Sequence, residues 1–152
     1  MRFSGFEPVF DGKSKILILG SFPSVISRAE NFYYGNKQNR FWGMISVALD
    51  CEKPTTVEAK RELVLSHGIA LWDIVTECKI KGSMDADIKD YVVADLYKVL
   101  NHAPIQKILL NGGKAYEIFV KHYPALVDIA KKMPSTSSAN VRYREDQWLK
   151  EF

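Results

Sequence analysis

The stretch KILILG, Lys15 to Gly20, is a short continuous apolar run closed by Gly20 and then Pro23. A run of this kind, bounded by chain breakers, reads as a strand buried on both faces that feeds a loop. Two more follow: GIALWDIV, Gly68 to Val75, and IQKILLNGG, Ile105 to Gly113. Between the first two, Phe41, Trp42, Ile45, Ala48 and Leu49 recur at helical spacing, with Pro54 beyond the helix end. Val57 to Ser66 reads as a second helix, with Leu63, Val64 and His67 on one side. TECKIKGSMDADIKDY, residues 76–91, reads as a loop, and Val92 to His102 as a helix. KAYEIFVKHY forms a helix that stops before Pro124, Leu126 to Met133 a short fourth strand, and REDQWLKEF a final helix. This alternation predicts an open, mostly parallel α/β sheet.

The chain has 152 residues, of which 47% are hydrophobic. That length suits one domain over residues 1–152, able to bury about 68–70% of its unfolded surface. Lys and Arg total 21 against 18 Asp and Glu, a net charge of +3 that permits nucleic acid as a partner without demanding it. No apolar stretch approaches the ~20 residues of a membrane span, and the amino-terminal residues lack the apolar centre of a signal peptide. A cytosolic (cytoplasmic) monomer that engages no membrane is expected. Cys51 and Cys78 lie far apart with no C-x-x-C spacing, and His67, His102 and His122 are scattered, so neither metal nor cofactor is expected.

Open parallel sheets bind ligands outside the carboxyl ends of their strands. The segments leaving those ends, GSFPSVIS, TECKIKGSMD, NGGKAY and PSTSSAN, are rich in Ser, Gly, Asn or Thr. Such loops can offer amides and hydroxyls to phosphate, or can simply be turns. NGGKAY lacks a Gly five places before Gly113 and a Ser or Thr after Lys114, so the nucleotide-triphosphate loop fails, and GSFPS is not G-x-G-x-x-G, which disfavours a dinucleotide site.

Taken in order, GSFPSVISR, YYGNKQNRFW, HGIALWDIV, KGSMDADI, LLNGGKA and PSTSSAN resemble the uracil-DNA glycosylase superfamily, and within it the hypoxanthine-DNA glycosylase family. The resemblance runs from about Ile16 to Trp148. It implies a three-layer α/β/α sandwich around a short, mostly parallel central sheet of about four strands. It also implies an enzyme that removes deaminated bases (hypoxanthine, and also uracil or xanthine) from DNA without a metal. Two usual polar groups of the superfamily are missing: Phe22 stands where its first motif carries Asp or Asn, and Met133 where its last motif begins with His or Asn. The hypoxanthine family shares that pattern and carries its catalytic amide in the segment matched by QNRFW, which implies Asn39.

The resemblance assigns base binding to Tyr34, Phe22, Ser21 and Asn111, with Tyr34 as the stacking aromatic. It assigns DNA phosphates to Ser24, Pro134, Ser135, Thr136 and Ser137. An amide does not take up a proton at neutral pH, so Asn39 would orient a water or bond the base. Asn39 also precedes a helix and suits an N-cap, a role compatible with the first. Arg40 suits a surface cation or a phosphate contact, and Asn111 either a base contact or a turn with Gly112. Tyr33, Phe41 and Trp42 suit the core.

The superfamily wedges the opened duplex with an apolar residue where this chain has Ser137, followed by Ser138 and Ala139. Small side chains make a poor wedge, so weakly paired targets are expected to be favoured. Two alternatives are a glycosylase-like domain that binds nucleic acid without cutting it, and an enzyme on a small ester or sugar phosphate. The latter is disfavoured by the absence of G-x-S-x-G and of paired carboxylates.

Overall fold

The computed structural model describes residues 2–23, 30–80 and 88–152. Ser24 and most of KGSMDADI fall outside them. The described elements are β1 (Arg2–Ser4), β2 (Ile16–Gly20), α1 (Phe41–Ala48), α2 (Val57–Ser66), β3 (Ile69–Asp73), β4 (Val75–Ile80), β5 (Ile88–Val93), α3 (Tyr97–Leu100), β6 (Lys107–Asn111), α4 (Gly113–His122), a 3-10 helix (Pro124–Ile129), β7 (Ala130–Met133) and α5 (Glu145–Leu149).

Four strands form one sheet in the order β3-β2-β6-β7, every pair parallel. KILILG lies at its middle, and Leu17, Ile18 and Leu19 are fully buried, as expected of a strand covered on both faces. From β2 the chain moves outward through α1 and α2 to β3, whereas β6 lies on the other side of β2 and leads outward to β7. The direction of winding therefore reverses between β2 and β6, and their carboxyl ends are where sheets of this kind bind ligands. With right-handed crossovers, helices from the two halves cover opposite faces of the sheet, the three-layer arrangement expected from the sequence. β7 is a short edge strand whose Lys131 and Lys132 are exposed, a pattern that discourages pairing with another chain.

The segment 76–91 corrects the sequence reading. Instead of a loop, it supplies most of β4 and β5, which join β1 in a separate antiparallel sheet of order β1-β4-β5. Bulges between Val75 and Glu77 and between Glu77 and Lys79 interrupt the pairing, and Asp90 adopts φ +48°. Such extra residues destroy the strict alternation by which a half-buried strand is recognised. The long strand expected over 68–75 divides at Ile74 for the same reason: β3 ends at Asp73 and the chain turns into the second sheet.

The expected helix 92–102 is likewise reduced to Tyr97–Leu100, because Val92 and Val93 pair with β4. The expected strand 126–133 is a 3-10 turn begun by Pro124, followed by only four extended residues.

The carboxyl end is fastened by charge. The Glu151 carboxylate, side chain 8% exposed, accepts from Lys107 at 3.1 Å and Lys131 at 2.7 Å. Burial raises its pKa, but hydrogen bonds from the two ammonium groups outweigh burial, and the net shift is downward from 4.5. A depressed carboxylate stabilises the fold above its unfolded pKa and loses that contribution as pH falls through the folded value. Glu151→Gln is therefore expected to lower stability at pH 7 by on the order of 1 kcal/mol. Urea denaturation should show this deficit shrinking as pH drops below about 4.5; a deficit independent of pH would contradict the ion-pair assignment.

Candidate active site

The crevice at the carboxyl ends of β2, β3 and β6 is built by close approach. Gly20 ends β2, and a Cβ placed there would sit 2.5 Å from Asp73 Oδ1 and 3.2 Å from the Tyr34 hydroxyl. Only glycine leaves room for a carboxylate and a phenol to converge at this strand end. The Tyr34 hydroxyl is buried and lies by the Asn111 amide without completing a hydrogen bond. Burial first, and the Asp73 charge second, push its pKa well above 10.0, so it stays a neutral O–H donor at physiological pH.

Tyr34 is held there under backbone strain, at φ +54°. A non-glycine residue in the left-handed region costs about 1–3 kcal/mol and persists only where its surroundings fix it. Those surroundings are on both sides. The Trp42 indole donates to the Tyr33 carbonyl at 3.0 Å, and the Tyr33 hydroxyl donates to the Glu7 carbonyl at 2.7 Å. The Tyr34 ring then stacks on Phe41, centroids 4.1 Å apart at 24°. Tyr33, Phe41 and Trp42 are buried, as their spacing predicted.

Asn39 stands at the start of α1. Its Oδ1 accepts from the Phe41 amide at 2.9 Å, closing the first turn. The cap position itself is held by Arg40, with no side-chain cap bond, so Asn39 lies one residue ahead of the cap and its oxygen closes a turn two residues on into the helix. Next to it, Arg40 is half-buried and engaged within the chain. Its backbone N–H donates to Thr136 O at 3.0 Å. Its guanidinium donates to the carbonyls of Ser137 at 3.3 Å and Asn140 at 3.0 Å, and covers the Tyr143 ring at 4.7 Å. Burial, ahead of the repulsion from Glu145, pushes the Tyr143 phenol up to about 12.

Thr136 and Asn111 are bound to one another. Asn111 Nδ2 donates to Thr136 Oγ1 and the Thr136 amide donates to Asn111 Oδ1, both at 3.0 Å, with Thr136 1% exposed. Thr136 is thus directed inward rather than toward a phosphate, since its hydroxyl, amide and carbonyl all serve the fold. Asn111 neither closes a simple turn nor stands clear for a base; most of its amide joins β6 to the last loop. Gly112, at φ +100°, lets that loop pass, for a Cβ there would meet Ser135 Cβ at 3.2 Å. Pro134 is tied by its carbonyl to the buried Trp148 indole at 2.7 Å. Ser135 Oγ accepts from the Ser137 amide at 3.2 Å, which leaves Ser135 and Ser137 as the half-buried hydroxyls of the rim.

Ser21 and Phe22 follow Gly20 at 8% and 9% exposure, with the Ser21 carbonyl accepting from Val75 at 3.1 Å. Met133 is 2% exposed in the core, and its backbone carbonyl accepts from Gly112 at 3.0 Å. Asp73 belongs to the candidate site by position, and sequence reasoning missed it. It is 5% exposed, and its signal was a carboxylate ending an otherwise apolar buried strand.

A surface depression of about 1010 Å³, lined by Asp11, Lys13, Lys15, Arg61, Glu62 and His67 among others, lies at the opposite, amino end of β2 and β3. Its charges are mixed, and it lies at the other end of the strands from Asp73, Tyr34 and Asn111.

The family model described as "Uracil DNA glycosylase superfamily" matches residues 7–152. The chain belongs to this superfamily. A hypoxanthine DNA glycosylase of Methanosarcina acetivorans is 35% identical over 152 residues, covering 95% of this chain and 94% of its own. Another from Methanosarcina barkeri is 30% identical over 156 residues, covering 100% and 99%. A solution NMR structure of a candidate uracil DNA glycosylase from Methanosarcina acetivorans superposes with a TM-score of 0.84 at 33% identity, covering 99% of this chain and 96% of that one. Fold and family together make the chain a DNA glycosylase, a hydrolase of N-glycosyl bonds. Among the described residues, no helix is long and apolar enough to cross a membrane.

The Asn111–Thr136 pair gives the site a direct test. Thr136→Val strands a buried amide N–H and Asn111→Leu strands the Thr136 groups, so each is expected to cost about 1–3 kcal/mol. In a double-mutant cycle followed by chemical denaturation, the combined variant should lose clearly less than the sum. Strict additivity would show that the two side chains do not act as a pair.

Proposed function

We propose that this DNA glycosylase excises deaminated bases, hypoxanthine first, with Asn39 as the residue that holds the attacking water. The observation that carries the reading is the meeting of Asp73 and the Tyr34 hydroxyl at Gly20, with Tyr34 stacked on the Phe41 whose amide Asn39 binds, in a chain matched end to end by relatives named hypoxanthine DNA glycosylase.

Deamination changes what a base presents. Hypoxanthine and uracil carry a ring N–H beside a carbonyl; adenine and cytosine carry a bare ring nitrogen beside an amino group. A buried carboxylate set against the ring nitrogen accepts from the first pattern and meets only a lone pair in the second, which would cost the wrong base dearly. Asp73 at the end of β3 supplies that acceptor, and the neutral Tyr34 hydroxyl supplies a donor beside it for the carbonyl. Flipping the nucleotide out of the duplex costs a few kcal/mol, and stacking on an aromatic returns about 1–3 kcal/mol.

Asn39 does not take a proton, so the bond breaks because the base leaves readily while its developing charge is met by hydrogen bonds. The remaining lone pair of Oδ1 aligns water toward the sugar carbon, and the Phe41 amide holds that oxygen still. Ser135 and Ser137, with the loop amides, take phosphates on either side. The reading of a domain that binds without cutting is not favoured, since full-length relatives that bear the same family match are named for the activity.

The experiment is single-turnover base release from duplexes carrying one hypoxanthine, uracil or xanthine, in chelator, with abasic sites cleaved by alkali. Asn39→Ser retains a side-chain oxygen able to accept from the Phe41 amide, so its stability should stay near that of the wild type. Its release rate should nevertheless fall at least about tenfold, ~1.4 kcal/mol in the barrier, with duplex affinity nearly intact. An unchanged rate in the folded variant would remove Asn39 from the chemistry.

A further inference from the structure

Arg40 binds three carbonyls of one distant loop, that between β7 and α5. Its backbone N–H donates to Thr136 O at 3.0 Å, and its Nη1 donates to Ser137 O at 3.3 Å and to Asn140 O at 3.0 Å. The guanidinium carbon also lies 4.7 Å from the centre of the Tyr143 ring. A guanidinium can donate from its edge while its face covers an aromatic ring, a combination that suits Arg here. One hydrogen bond fixes a distance; three, at residues 136, 137 and 140, fix the orientation of the loop as well.

The same residue orders the backbone on which Asn39 sits. The Arg40 N–H belongs to the planar unit that contains the Asn39 carbonyl, so its bond to Thr136 O orients the main chain of Asn39. The next planar unit contains the Arg40 carbonyl, which accepts from the Met44 N–H at 2.9 Å, and the Phe41 N–H, which donates to Asn39 Oδ1 at 2.9 Å. No side chain caps α1. Its start is held instead from across the molecule, through a Thr136 that is itself bound to Asn111.

We propose that Arg40 is a positioning residue for base release: its side chain holds the loop that carries Ser135 and Ser137 against the start of α1, and so keeps the Asn39 amide in its working orientation. This rests on the reading of Asn39 as the residue that holds the water. Arg40 acts without touching base or phosphate, because its charge is set against carbonyl dipoles and a ring face. A shift of about 1 Å at a reacting group costs on the order of 100-fold in rate, so a partial loosening of the clamp is enough to be measured.

The test is a double-mutant cycle on single-turnover release from a hypoxanthine duplex at saturating enzyme, with Arg40→Met, Asn39→Ala and the two combined. Met keeps an apolar stem over Tyr143 and loses the donors. In protein shown to be folded by circular dichroism, Arg40→Met should slow release at least about fivefold. In the Asn39→Ala background the same change should cost less than about twofold, since the group to be positioned is gone. The slope of duplex affinity against salt should stay at the wild-type value, whereas loss of a phosphate contact would reduce it by about one. If Arg40→Met does not fold, Tyr143→Leu takes its place in the cycle, since it removes the ring under the guanidinium and should slow release at least about threefold. Equal losses in the two backgrounds, an unchanged rate, or a reduced salt slope would overturn the positioning role and leave the Asn39 reading intact. A wild-type rate in Asn39→Ala would overturn both.

Discussion

The reciprocal hydrogen bonds between Asn111 and Thr136 are the constraint on which the site depends. Two buried polar side chains in an apolar interior are tolerable only if each satisfies the other, and here 25 residues of sequence separate them. Their pairing fixes the loop after β7 to the end of β6. Because the Thr136 carbonyl then accepts from Arg40, it fixes the start of α1 as well. The amide of Asn39 is consequently placed by a contact formed on the far side of the crevice.

A second constraint acts on the floor of the crevice. Gly20, Asp73 and Tyr34 meet so closely that no side chain fits at position 20, and the Tyr34 backbone is held in a conformation that tyrosine disfavours. The aromatic packing behind it, from Phe41 through Trp42 and Tyr33 to the chain near Glu7, supplies the rigidity. In such surroundings a carboxylate or a phenol interacts far more strongly with a polar partner than it would at the surface.

The sequence was most legible where one segment suffices to determine its own structure. The apolar strands at 16–20 and 107–111 and the helices at 41–48, 57–66 and 113–122 form as their periodicities predicted. It was least legible where a distant partner decides. The bulged strands at 75–80 and 88–93 carry no clean alternation, and Val92 and Val93 fit a helix as well as a ladder until β4 is present to pair with them. The roles of polar residues divide the same way. Asn39 could be read as bonding the start of the helix because its partner lies two residues on, whereas Arg40 reaches carbonyls 97 and 100 residues away and could not.

By itself the sequence determined a parallel α/β domain, its glycosylase-like motifs in order, and the missing polar groups at Phe22 and Met133. These follow from local pattern and residue identity, which chain topology does not alter. The tertiary structure alone decided which atoms of those motifs face inward: Thr136 toward Asn111, Arg40 toward the last loop, Asp73 toward Gly20 and Tyr34. It also decided that Val141 stands in solvent. The physical reason is that a buried polar group takes whatever partner the fold brings within about 3 Å, and strand order, not spacing along the chain, sets that partner.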